Sequence, residues 1–151
     1  MDAPDQEPSL VPGITLADYV IRDAGSGKLS LIGCFGQFNF PKFPLKMGRF
    51  FVVSGITNLH GSIEKMVATC RIEMAGSGHV VGSSTCEIRF GSKNPPLQPR
   101  VIFDLAFPFE GCLFVGAGPH DVVVLVNNEV IGTRTIMVSQ VTAPAAPPEN
   151  P

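Results

Sequence analysis

Four cysteines (Cys34, Cys70, Cys86, Cys112) and three histidines (His60, His79, His120) are the side chains of this chain best suited to metal ligation or nucleophilic chemistry. Their spacing argues against both. No C-x-x-C or H-x-x-x-H pair occurs, so a zinc site would have to be assembled entirely from distant segments. No cysteine has a histidine beside it in sequence to draw off the thiol proton. All four lie in apolar stretches, as small buried thiols do in a reducing compartment. Cys70 and Cys86 fall on one face if the segments flanking Gly76-Ser77-Gly78 pair as a hairpin, opposite or diagonal to each other; free thiols are expected there ahead of a disulfide.

Other chemistries fail on residue type. Gly25-Ser26-Gly27-Lys28 invites a phosphate-loop reading, but Arg22 and Leu29 stand where a Walker loop needs Gly and Ser or Thr. The same segment joins two strand-like runs, with no helix whose N-terminus would hold an anion. A hairpin turn with a solvated lysine is expected. Asp18, Asp23, Asp104 and Asp121 occur singly, whereas a calcium site needs six or more oxygens. The chain has no Trp and only Tyr19, which weakens sugar stacking. Asp18-Tyr19 is an acid-aromatic pair in an apolar run, read structurally: Asp18 accepts hydrogen bonds from a turn, and Tyr19 caps the core. No paired carboxylates and no nucleophile beside a base emerge, so no catalytic, cofactor or metal residue is assigned and a non-enzyme is expected.

One segment stands out for binding. Phe35 to Gly48 reads FGQFNFPKFPLKMG, where Phe38, Phe40 and Phe43 alternate with polar residues while Pro41 and Pro44 stiffen the backbone. Phe38, Phe40, Pro41, Phe43 and Pro44 form the candidate interaction loop, although the commoner arrangement of such a segment is that Phe40 and Phe43 fold back to plug one end of the domain, since monomers seldom leave such patches exposed.

The elements that would position these residues are strands. Short runs rich in Val, Ile, Phe and Thr are divided by Gly, Pro and Asn clusters, giving about eight segments: 14–22, 28–35, 49–57, 64–74, 79–90, 100–109, 121–127 and 129–140. Met66, Ala68, Cys70, Ile72 and Met74 alternate with Thr69, Arg71 and Glu73, the period of a half-buried strand. Phe50 to Val53 and Val122 to Val126 are apolar on both faces, as central or covered strands are. Pro108 confines its strand to an edge or a bulge. Asn127-Asn128 suits a two-residue turn. Apolar rows of this kind need a second layer, so the expected fold is a single-domain, all-β antiparallel sandwich, immunoglobulin-like or C2-like, with a β-barrel as the alternative. Residues 1–13 read as an N-terminal extension, 14–141 as the sandwich and 142–151 (TAPAAPPENP) as a Pro/Ala-rich tail.

With 151 residues, 44% of them apolar, and a mean hydropathy of +0.26, the chain suits one compact domain. A formal charge of -2 provides no field to gather nucleic acid or anionic lipid. Asp2, Asp5 and Glu7 stand where a secretory signal carries basic residues, and no apolar run nears the roughly 20 residues of a membrane span. A cytoplasmic protein without nucleic-acid or membrane partners is expected.

Tyr19-Val20, Asp23, Gly27-Lys28-Leu29, Leu31-Ile32-Gly33, Phe35 and Phe43-Pro44 together resemble the opening of an uncharacterised bacterial all-β domain family of unknown function. The closing hairpin is similar as well, through Val122 to Asn127, Ile131-Gly132 and Ile136 to Val138. The resemblance implies turn glycines and core Phe and Ile positions, and carries over no catalytic or ligand residue. The functional expectation is a non-enzymatic module acting on an unidentified protein partner or forming a homo-oligomer, with a small-molecule or carbohydrate binder as the alternative.

Overall fold

A computed structural model describes residues 9–57, 64–89 and 102–142. Eleven strands follow one another: β1 (Ser9–Arg22), β2 (Leu29–Phe35), β3 (Gln37–Phe40), β4 (Leu45–Lys46), β5 (Phe50–Thr57), β6 (Lys65–Met74), β7 (Val80–Arg89), β8 (Phe103–Phe109), β9 (Leu113–Phe114), β10 (Gly118–Val126) and β11 (Glu129–Gln140). They form a four-stranded sheet in the order β2-β1-β5-β8, a five-stranded sheet in the order β3-β11-β10-β6-β7 and a small β4-β9 ribbon. The fold is all-β, as expected, with one core shared by the two large sheets.

Alternation decides which side chains enter that core. On β6, Met66, Ala68, Cys70 and Ile72 are buried while Val67, Thr69, Arg71 and Glu73 are half-exposed. Leu16, Val52, Ile56, Leu105, Phe107 and Phe109 face them from the four-stranded sheet. Phe50 and Phe109 stack with centroids 5.2 Å apart, and each buried Phe contributes about 1.5–3 kcal/mol relative to exposure. β10 is the central strand of the five-stranded sheet, and its run from Val122 to Val126 is buried throughout, which explains why it is apolar on both faces. Pro108 lies on β8, at the edge of its sheet, where a missing N–H does no harm.

The turns follow local chemistry. Asn127 and Asn128 carry φ of 48° and 68°, the left-handed pair of a two-residue hairpin turn. Between β6 and β7, Gly76 and Gly78 take positive φ, and the Met74 N–H donates to the His79 carbonyl at 2.8 Å.

Three expectations need correction. Eleven strands replace about eight, because β3, β4 and β9 are too short, at 4, 2 and 2 residues, to leave a periodic signal. The pairing is not wholly antiparallel: β3 runs parallel to β11, with Phe38 opposite Val138. This follows from a change of sheet, since Gly36 alone separates β2 in one sheet from β3 in the other. Finally, β1 reaches back to Ser9, within the segment read as an extension, and Ser9 to Val11 pair with Thr57 to Gly55 across a bulge before Ile14. The tail beyond Thr142, His60, Phe90 and Val101 lie outside the described residues.

Candidate functional site

The Phe-Pro segment is not an open binding lip. The Q-F-N-F alternation of β3, paired with β11, turns Phe38 and Phe40 inward, where they are 3% and 6% exposed. Phe38 meets the Phe35, Phe50 and Phe114 rings at 5.1, 5.3 and 4.9 Å, and Phe40 lies 5.1 Å from Phe114. Phe43 is half-buried against Phe40 at 6.0 Å, so only Pro41 and Pro44 of the five candidate residues are exposed. The rings close one end of the core, and the interaction-loop expectation is corrected accordingly.

Three of the thiols and His120, the one buried histidine among the described residues, are equally structural. Ala68 pairs with Cys86 and Cys70 with Ser84, which makes Cys70 and Cys86 diagonal neighbours, and both are free. Diagonal cross-strand positions lie beyond the usual span of a disulfide. Burial, reinforced by the nearby Cys112 and Cys86 sulfurs, pushes the Cys70 thiol far above the ordinary range. Burial likewise raises Cys112 to about 11 and lifts Cys86. Such groups stay protonated and poorly nucleophilic at neutral pH. His120 is fully buried beside the Phe114 ring, with Nδ1 3.0 Å from the Gly118 carbonyl. A carbonyl only accepts, so Nδ1 carries the proton, and Nε2 is left buried without a partner. Among the described residues, no group of three His, Cys, Asp or Glu side chains is placed to hold a metal ion.

The β1–β2 hairpin is the unusual element. Its turn is built by Asp23, whose carboxylate accepts the Ser26 N–H at 2.6 Å while its backbone N–H donates to the Lys28 carbonyl at 2.9 Å. The hydrogen bonds from Ser26 hold the Asp23 carboxyl below the ordinary range. The Gly25–Lys28 segment is therefore a hairpin turn. Asp18 sits against Gly33, whose φ of +69° and closeness to the Asp18 carboxylate leave no room for a β-carbon.

Beyond Ala17, β1 leaves β5 and continues with β2 alone. The hairpin curls back far enough that Arg22 donates from Nη2 to the Asp104 carbonyl on β8 at 3.1 Å and from Nη1 to Gly27 at 3.0 Å. Under it lies a groove of about 360 Å³, lined by Lys28, Leu29 and Leu31 from the hairpin side and by Thr15, Val53, Gly55 and Asp104 from the sheet. Thr15 and Val53 alternate with core-facing Leu16 and Val52, so the groove lies on the outer side of the four-stranded sheet.

The alternate positions of the hairpin face water. Tyr19 pairs with Ile32, and they are 65% and 49% exposed, with Ile21 at 54%. Tyr19 does not cap the core, contrary to expectation. The sequence does carry the signal that was missed: Val20, Leu29 and Leu31 on one face and Tyr19, Ile21 and Ile32 on the other make a hairpin apolar on both sides, the mark of a covered strand. β2 is also the edge of its sheet. The five-stranded sheet offers the contrast, since its outer face carries Lys65–Glu87, Arg89–Glu87 and Arg71–Glu73 ion pairs at 3.4, 2.6 and 3.0 Å and a Thr69–Thr85 hydroxyl contact. That face is made for solvent.

Residues 13–139 match the family described as "Family of unknown function (DUF6941)". No curated protein matches the chain. Among solved structures, the Pseudomonas fluorescens alkylpurine DNA glycosylase AlkC bound to DNA containing an abasic site analogue is similar at 18% identity over 68% of this chain, with a TM-score of 0.42. The chain spans 27% of that protein's length.

Proposed function

The chain belongs to this family of unknown function, and we propose that it is a non-catalytic module that associates with a second copy of itself through the solvent face of the β1–β2 hairpin. The carrying observation is the directly paired Tyr19 and Ile32, both exposed, on a hairpin whose outer strand is a free sheet edge. Exposed edges of this composition are templates for pairing with another chain unless they are blunted by charge or proline, and Leu29 to Phe35 holds neither. No ionised side chain stands between Tyr19, Ile21 and Ile32 on that face. Raised thiol pKa values at Cys70, Cys86 and Cys112 and the burial of His120 support a role without nucleophilic chemistry. Four free cysteines fit a reducing, cytoplasmic setting, and the formal charge of -2 fits a protein partner ahead of nucleic acid.

Light scattering over a concentration series tests this. Wild-type protein is expected to approach twice the monomer mass, and a folded Tyr19→Lys, Ile32→Lys variant to remain at the monomer mass. Monomeric wild-type protein at every concentration overturns the proposal. The groove favours a second reading, the binding of a small molecule; its lining holds no aromatic ring, which speaks against a sugar.

A further inference from the structure

The groove beneath the hairpin has a chemistry of its own, and the inference below rests on the second reading just given. Its volume of about 360 Å³ falls in the roughly 300–1,000 Å³ range of small-molecule sites. Leu29, Leu31 and Val53 give it an apolar lining, and two opposite charges, Lys28 and Asp104, share it. Neither charge is used: the ion pairs among the described residues involve Lys65, Arg71, Glu73, Glu87 and Arg89, and the hydrogen bonds of Lys28 and Asp104 run through backbone atoms. The Arg22 guanidinium, bound to the Gly27 and Asp104 carbonyls, fixes the hairpin above the sheet and keeps a second positive charge beside the groove.

A lone anion would meet Asp104, and a lone cation would meet Lys28 and Arg22. A neutral apolar ligand would leave both charges unused. We propose that the groove binds a small zwitterion with an apolar body, an apolar amino acid or short peptide whose carboxylate faces Lys28 and whose ammonium faces Asp104. The apolar part lies on Leu29, Leu31 and Val53. This site uses the hairpin face opposite Tyr19 and Ile32, so it stands or falls separately from self-association.

Isothermal titration calorimetry on the full chain with leucine and Leu-Leu, and with their N-acetylated and C-amidated forms, tests the assignment. The free amino acid and the dipeptide separate the two possible sources of the zwitterion. Blocking either terminus should weaken binding about tenfold or more, as expected when a hydrogen bond to a charged group is lost. In Lys28→Gln the amide should bind as well as the free acid, and in Asp104→Asn the acetylated form should bind as well as the free amine. Both side chains are exposed, so the variants keep the fold. Blocked and free forms binding alike overturns the zwitterion while keeping a ligand groove; no binding by any form at millimolar concentration overturns both.

Discussion

Gly82 on β7 lies against the Cys112 thiol so closely that a β-carbon at position 82 would overlap the sulfur, with the Phe109 ring only 3.3 Å away. The contact joins the edge of the five-stranded sheet to the segment between β8 and β9, and the buried sulfur takes the place of a side chain on β7. Gly82→Ala should therefore destabilise the protein by about 1–3 kcal/mol through overpacking. Cys112→Ala removes the obstructing atom, so the double variant should recover much of that loss. A double-mutant cycle from urea unfolding measures the coupling; strict additivity would refute the contact as the cause.

Ser54 sits opposite Ile14 and Leu105, 1% exposed, with its hydroxyl unpaired. A buried hydroxyl without a partner costs more than it returns. Ser54→Ala should raise stability by about 1 kcal/mol, or about 2–4 °C in melting temperature for a chain of this size. Calorimetric unfolding checks this, and a lower melting temperature would show that the hydroxyl has a partner.

Of the four thiols, only Cys34 is exposed. A disulfide reagent at neutral pH should label it within seconds to minutes, half-buried Cys86 more slowly, and buried Cys70 and Cys112 only on unfolding, because burial and raised pKa values suppress the thiolate. Cys34→Ser should leave no fast phase. The same shifts carry a sign for stability. A thiol held protonated in the folded state contributes fully below its unfolded pKa of about 8.5, and the contribution of Cys112 is lost as pH rises towards about 11.

Asp23 behaves in the opposite sense. Its carboxyl is held below the ordinary range by Ser26, so its contribution to the turn is present at neutral pH and is lost as pH falls through the depressed folded value. In Asp23→Asn that acid-side loss should disappear. Carboxyl chemical shifts followed below about pH 4 test the direction, and an Asp23 titration at or above the ordinary value would contradict the turn geometry.

Much of the fold was readable because long strands advertise themselves. β6 alternates over ten residues, the Val122 to Val126 run of β10 is apolar on both faces because the strand is central, and the paired asparagines supply a turn of known handedness. Strands of two to four residues leave no period, and their pairing is set by tertiary contact, so β3 running parallel to β11 could not be read locally. The site was obscured for a related reason. Alternation tells which residues share a face but not which face is buried, and for a hairpin apolar on both sides the choice between Tyr19 and Leu31 is made by the curl of the whole sheet.

The end of the core supplies the sharpest contrast with a surface-loop reading. If Phe38 and Phe40 were interface residues, replacing them would change the mass in solution and spare stability. Packed among Phe35, Phe50 and Phe114, they should do the reverse. Phe38→Ala should cost about 3–5 kcal/mol, the range for a buried Phe whose neighbours collapse only partly. Half-buried Phe43 should cost less, because water already reaches part of its ring. Urea unfolding of both variants, set beside their mass by light scattering, separates the two roles. A dissociated but fully stable Phe38→Ala protein would return the loop to the surface.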